Sequence, residues 1–333
     1  MIRVLIFLLM LVGPSMAGAT PLTPRDQAAI LGATADLLRD RYVDAALGAR
    51  VARQLPGQTS RWADLTDPRA FASAVTEWLR HASEDGHLAL AYSEQPIPEG
   101  DTQAFTEAEL DRFYGPKVNH GVERIERLDG NVMLLDLRVF PPPSMAADVI
   151  AAAMTLVAQG DALIIDLRNN SGGMETANLI TGYLLDEPTM SLSGRYERPT
   201  DTLTANLSPV WVPGRRFGGT KPLYILISQR TFSAGEAVAY DLQALGRAVV
   251  VGEQSGGGAN PFEYRRVHPH FALSLPESRS INPITGSNWQ GRGVTPDVPT
   301  PAGEALDKAV ALAKEAIAQG RSGQQARSSG TEG

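Results

Sequence analysis

The sequence contains no cysteine. That absence excludes disulfides, thiolate nucleophiles, cysteine-ligated zinc and a lipid-modified N-terminal cysteine. Histidine is scarce, with only five residues, and no pair of them has the close spacing of a helical zinc site. Basic residues form no stripe: 30 Lys and Arg against 37 Asp and Glu leave a net charge of −7, mixed in sign along the chain. An acidic chain of this kind argues against nucleic-acid binding. Beyond the first residues there is no apolar run long enough to cross a bilayer, so stable membrane insertion is not expected.

What is present is a chain of 333 residues, 43% hydrophobic, enough to bury a sizeable core in one large domain plus a small one. Residues 1–19 read as a signal peptide. Arg3 supplies the positive end, Val4 to Val12 is a short apolar run, Pro14 breaks it, and Ser15 to Ala19 offers small residues for cleavage. The mature protein is therefore expected to be secreted or periplasmic.

Residues 20–95 read as a small helical domain. Thr23-Pro24 and Asp67-Pro68 each combine an N-cap with proline at the first helical position. Ile30, Thr34, Leu37, Leu38 and Tyr42 recur at helical spacing, as do Phe71, Val75, Trp78 and Leu79. From residue 96 to 320 the pattern is that of an α/β core. Val122–Arg127 and Val132–Val139, joined by Asp129-Gly130, form a hairpin, and strands then alternate with helices. Residues 321–333 are rich in Ser, Gly and Gln and read as a disordered tail.

Four constellations could carry chemistry. Asp166 to Gly173 follows a buried strand and precedes a helix; its glycines permit unusual backbone angles, and their N–H groups could hold an oxyanion. The same segment could equally be a polar strand-to-helix turn. Gln229 to Glu236 also joins a strand to a helix, placing Ser233 at the C-terminal edge of a sheet, where ligands of open α/β folds bind. Ser-x-x-Glu is also a capping box, so Ser233 could merely cap the helix. Among the histidines, His81 falls in a helix, His120 precedes a strand, His268 and His270 flank a proline in a hairpin, and His87 sits in the loop Glu84 to Leu88. Gly256-Gly257-Gly258 lacks the Lys-Ser/Thr ending of a phosphate loop and reads as a flexible substrate loop or a plain turn.

Taken in order, these residues resemble a known family. An Asp-Gly-His loop precedes Asp-Leu-Arg-x-Asn-x-Gly-Gly, then Thr-Phe-Ser-Ala-Gly-Glu, then Val-Gly-Glu-x-x-Gly-Gly-Gly-Ala. Residues 282–297 follow as Asn-Pro-x-Thr-Gly-x-Asn-Trp-x-Gly-x-Gly-Val-x-Pro-Asp. The pattern is similar to the S41 serine peptidases: the C-terminal processing proteases, the tricorn core and the interphotoreceptor retinoid-binding protein repeats. The resemblance implies a crotonase-like α/β core preceded by the helical domain. It implies Ser233 as nucleophile, His87 as general base, oxyanion donors at Ala234 and at Gly172 or Gly173, a peptide or protein substrate, and no cofactor or metal.

The chain departs from the family pattern in three places. The processing proteases carry a lysine base in the loop after Val-Gly-Glu, whereas this chain reads Gln254-Ser255-Gly256-Gly257-Gly258. About 35 residues separate His87 from the strand at Val122, below the size of a typical domain, which leaves a PDZ domain unsupported. Gln290 stands where relatives commonly carry the Glu that orients the histidine; its amide oxygen can accept a ring N–H but carries no charge. The resemblance also admits a non-catalytic module that binds a peptide or apolar ligand. An acyl-CoA enzyme of the crotonase type is disfavoured by the export signal.

Overall fold

A computed structural model describes residues 20–100, 106–186 and 189–329. The signal segment 1–19 lies outside the described residues. The chain divides into two compact units, with elements numbered in chain order.

The first unit begins with three helices, α1 (Pro24–Arg41), α2 (Ala45–Gln54) and α3 (Pro68–Ser83). Their starts follow from capping. Thr23 and Asp26 form a reciprocal capping box, with Thr23 N–H donating to Asp26 Oδ2 at 3.0 Å, and Pro24 fills a position that needs no N–H donor. Asp67 Oδ1 accepts from Ala70 N–H at 2.7 Å to start α3, which ends where Glu84 turns left-handed at φ 57°.

The buried faces of these helices close on β1 (Ala89–Tyr92), β9 (Phe262–His268) and β10 (Phe271–Pro276), an antiparallel sheet of order β1-β10-β9. Ile30, Leu38, Phe71, Val75 and Leu79 share one core with Phe271, Leu273 and Leu275. Each such side chain contributes about 1.5–3 kcal/mol by leaving water. The unit is thus discontinuous in sequence, drawing on residues 194–204 and 258–281 as well as the N-terminal helices. β5 (Ser191–Glu197) and β6 (Thr202–Leu207) form a further sheet with β11 (Ser278–Ile281), in the order β11-β5-β6.

The second unit is built on a six-stranded sheet. Its strands are β2 (Val122–Leu128), β3 (Val132–Leu137), β4 (Ala162–Asp166), β7 (Leu223–Ile227), β8 (Val249–Gly252) and β12 (Val298–Pro299), in the order β12-β8-β7-β4-β3-β2. The β2–β3 pair is antiparallel, as the Asp129-Gly130 turn predicts, and all other pairs are parallel. The helices are α4 (Glu107–Tyr114), α5 (Pro143–Val157), α6 (Thr176–Tyr183), α7 (Ala234–Ala244) and α8 (Ala305–Ser329).

β3, β4 and β7 are buried along their whole length, which is why they read as continuous apolar runs rather than alternating ones. α8 lays Ala305, Ala309 and Ala313, all fully buried, among Val132, Ile164 and Leu226; small side chains one turn apart let the helix approach the sheet closely. α8 continues past residue 321 to Ser329, into the stretch whose composition predicts disorder. Among the described residues, no helix is long and apolar enough to cross a membrane.

Candidate active site

In the second unit, two strand-to-helix turns meet at the C-terminal edge of the parallel sheet. The turn after β7 is tied at its base: Ser228 N–H donates to Thr231 Oγ1 at 2.9 Å, and Thr231 Oγ1 donates to the Leu167 carbonyl at 2.7 Å. Ser228 Oγ donates to the Arg168 carbonyl at 2.6 Å, and Phe232 N–H donates to the Asn170 carbonyl at 3.0 Å. The turn after β4 is pinned in return. Asn170 is fully buried; its Nδ2 donates to the Leu137 carbonyl at 3.0 Å and its Oδ1 accepts from Gly172 N–H at 2.8 Å.

Ser233 sits at the apex, at the N-cap of α7, with φ 53° and ψ −120°. An ordinary N-cap has extended backbone. A non-glycine residue at positive φ is uncommon and costs about 1–3 kcal/mol, a strain that concentrates at functional sites. The sharp turn is enforced from two sides. Gly172, at φ 95°, lies so close that a Cβ there would stand 2.7 Å from Ser233 Cβ and 3.0 Å from Ala234 N. A Cβ at Gly235 would meet Asn170 Oδ1 at 2.7 Å, so the residue two after Ser233 is also held to glycine.

Glu236 is the part of this arrangement that the capping-box reading only half describes. Its Oε2 accepts from Ser233 N–H at 2.9 Å, closing the box. Its Oε1 accepts from Ser255 Oγ at 2.6 Å and from Gly257 N–H at 2.7 Å. The carboxylate is fully buried and has become a hub. The segment read in the sequence as a flexible loop or plain turn is therefore a brace over Ser255–Gly257. Gly256 N–H donates to the Thr231 carbonyl at 3.0 Å, Val294 N–H to Ser255 Oγ at 2.6 Å, and Gly291 N–H to the Gly257 carbonyl at 2.9 Å. Gly256 leaves no room for a side chain, since a Cβ there would meet the Phe232 ring at 2.9 Å.

The backbone donors near Ser233 differ in availability. Ala234 is the first residue of α7, so its N–H has no acceptor within the helix. Gly172 N–H is already committed to Asn170 Oδ1. Gly173, the other glycine expected as a donor, is exposed, at φ 135°.

Gln290 also belongs to this unit. Its N–H donates to Asn288 Oδ1 at 2.9 Å, and its neighbour Trp289 is buried against Tyr240 with ring centroids 5.2 Å apart. Nearby on the sheet edge, Arg168 forks onto Asp166 at 2.9 and 2.6 Å and reaches the Ala302 carbonyl at 2.6 Å. Together with Asp136, Arg138, Glu123 and Arg124 these groups line a polar cavity of about 390 Å³ whose charges balance. Burial and the neighbouring Asp166 push Asp136 above the usual carboxylate range, against the pull of Arg138.

His87 lies in the first unit, 8% exposed, in the loop between α3 and β1. Its carbonyl accepts from Ser274 Oγ at 2.6 Å, and its ring lies 5.4 Å from that of Phe262. Asp85, two residues before His87, is fully buried. Asp85 Oδ2 accepts from Tyr42 OH at 2.9 Å and Asn260 Nδ2 at 3.1 Å, while Oδ1 accepts the His87 N–H at 3.0 Å and stands 3.9 Å from His87 Nδ1. Burial pulls His87 below the usual imidazole range, and the attraction of Asp85 offsets this only in part. The imidazole is thereby kept neutral at neutral pH, the form a base requires. The only sequence signal for Asp85 is its place two residues before His87; its burial comes from partners 43 and 175 residues away.

Comparison with known proteins agrees with this architecture. The family model for Peptidase family S41 matches residues 133–300, just over half of the chain. The chain belongs to peptidase family S41. A carboxy-terminal-processing protease of Bartonella bacilliformis is 29% identical over 137 residues, covering 40% of this chain and 30% of that protein. The matched stretch is thus under a third of the relative's length. Among solved structures, the tricorn protease superposes with a TM-score of 0.60 at 14% identity, over 88% of this chain and 37% of that one. Mature CPAF in complex with lactacystin gives 0.58 at 11% identity, over 88% and 97%. At these identities the structures speak to the fold alone.

Proposed function

We propose that this chain is an exported serine peptidase that cleaves peptide bonds through an acyl-enzyme on Ser233. The observation that carries the reading is the backbone of Ser233: a non-glycine residue at φ 53° on a braced strand-to-helix turn, at the start of a helix. A serine that only capped α7 would need no such strain.

In this mechanism Ser233 Oγ attacks the scissile carbonyl and His87 takes its proton. The N–H groups of Ala234 and Gly173 hold the oxyanion, aided by the positive end of α7. His87 returns the proton to the leaving amine, then activates a water that hydrolyses the ester. Gln290 supplies a neutral acceptor for the imidazole, and Asp85 a charged neighbour that offsets the cost of forming imidazolium. No metal or cofactor enters these steps. Export is supported by Arg3 ahead of the apolar run Val4 to Val12.

The test is covalent labelling of purified mature protein with a fluorophosphonate probe, mapped by mass spectrometry. Modification of Ser233, absent in Ser233→Ala, is expected together with peptide cleavage that the same substitution abolishes. Peptide hydrolysis unchanged in Ser233→Ala would overturn the reading. Gln290, in place of an acid, favours a second reading as a binding module; well-folded protein that takes no probe yet binds peptide supports it.

A further inference from the structure

A second cavity, of about 300 Å³, opens between α6 and α7 in the same unit as Ser233. Its lining begins at Gly173 and includes Ala237, one helical turn after Ser233 and on the same helix face. An acyl group with its carbonyl carbon at Ser233 Oγ and its oxygen at Gly173 N–H has its α-carbon one bond away. The side chain on that carbon is then delivered to the mouth of this cavity.

The chemistry of the lining is one-sided. Asp241 is 5% exposed within it, Glu175 is exposed at its edge, and Asn178 and Asn206 contribute amides. Among the described lining residues there is no Lys, Arg or His. Asp241 is held entirely by neutral donors: Ser193 N–H at 3.1 Å to each oxygen, Ser193 Oγ at 2.5 Å and Asn282 Nδ2 at 2.8 Å to Oδ1. Its Oδ2 thus receives only a share of one N–H. Burial pushes Asp241 above the usual carboxylate range in spite of the Ser193 and Asn282 bonds, so its charge is under-compensated. Asn178 Oδ1 is buried without a donor, while its Nδ2 makes only long contacts, 3.3 Å each, to Asn206 Oδ1 and the Leu207 carbonyl.

One buried acceptor, Asn178 Oδ1, therefore lacks a donor, Asp241 Oδ2 has only a shared one, and the Asp241 carboxylate lacks a counter-charge among the described lining residues. A hydrocarbon side chain entering the cavity would deepen the burial of the Asp241 charge and offer it no donor. A lysine or arginine side chain brings donors, no acceptor and the missing charge, and its aliphatic stem suits Val238 and Leu192 on the cavity wall.

Resting on the reading of Ser233 as nucleophile, we propose that this cavity receives the side chain on the acyl side of the scissile bond and selects a cationic one. The enzyme would then cleave after Lys or Arg.

The experiment measures binding to the Ser233→Ala protein by calorimetry, so that turnover does not intervene. The probes are peptides that differ only at the acyl-side residue: Lys, Arg, norleucine or Glu. Lys is expected to bind about tenfold or more tighter than norleucine, which keeps the aliphatic stem and lacks the ammonium, as for one charge-assisted hydrogen bond. Asp241→Asn should erase that preference. Glu175→Gln, an exposed change that leaves the fold intact, should reduce it by about twofold. Equal binding of Lys and norleucine, or tighter binding of norleucine or Glu, overturns the proposal. Fluorophosphonate labelling of the wild type separates the two ideas. Labelled protein without a Lys preference overturns the cavity's role and leaves the nucleophile standing. Unlabelled protein that still prefers Lys supports the cavity's selectivity and overturns the peptidase reading.

Discussion

Glu236 accepts the N–H of Ser233 at 2.9 Å with one carboxylate oxygen and binds Ser255 Oγ and Gly257 N–H with the other. One buried side chain thus fixes the strained residue to the segment that braces it. An ionised carboxylate is all acceptor, and each of these partners is a donor.

Glu236→Gln keeps the size of the side chain but turns one end into a donor. It must then face either Ser233 N–H or the Ser255 and Gly257 donors. We expect a loss of about 1–3 kcal/mol in stability, the cost of a buried unsatisfied polar group, measured by urea denaturation. Probe labelling of Ser233 should slow at the same time. Unchanged stability and labelling would remove Glu236 from its positioning role.

Gly172→Ala adds a single methyl group at φ 95°, where it would stand 2.7 Å from Ser233 Cβ. Backbone strain and overpacking should each cost about 1–3 kcal/mol. Because the methyl presses on Ser233 itself, hydrolysis should fall even at temperatures where circular dichroism shows the variant fully folded. Wild-type kcat/KM in a folded variant would contradict this geometry.

The pH profile tests His87. Burial lowers its pKa and Asp85 partly restores it, so the acidic limb of kcat/KM should fall below the ordinary imidazole value of about 6.5. Asp85→Asn removes the attraction and should move the limb to lower pH while lowering the plateau rate. A limb moving upward would overturn the assignment. The same shift has a stability consequence. As pH falls below about 6.5 the unfolded chain protonates first, so His87's contribution is present above that value and is lost down to the lower folded pKa.

In the first unit, Glu277 is 5% exposed and bonded by Arg265 and Arg41. Burial raises its pKa, but the hydrogen bonds and charges of Arg265 and Arg41 win and hold it below the usual range. Its stabilisation should be present above the unfolded carboxylate value and be lost as pH falls through the folded one. Glu277→Gln should cost about 3 kcal/mol in thermal or urea unfolding at neutral pH, because it removes the charge that two guanidinium groups share.

Local signals in the sequence were strong where the physics is local. Thr23-Pro24 and Asp67-Pro68 marked helix starts that the structure contains, and Asp129-Gly130 marked the hairpin turn. The buried strands read as apolar runs because both faces of a parallel sheet are covered. The order of motifs along the chain is that of peptidase family S41. What stayed hidden depends on partners far apart in the chain. The first unit's core needs strands from residues 262–276, and no periodicity in residues 20–95 announces them. Nothing local in residues 84–88 announces that Tyr42 and Asn260 hold Asp85 in a buried position.

Ser233 shows the division most clearly. The sequence placed it between a strand and a helix, beside a Glu at the capping distance, and left a cap and a nucleophile both open. A capping box is a statement about spacing, and spacing fixes no backbone angle. The positive φ of Ser233 and the closeness of Gly172 arise only when two turns pack against each other at the sheet edge. So does the under-compensated charge of Asp241, because desolvation is a property of all the atoms around a group and of no segment by itself.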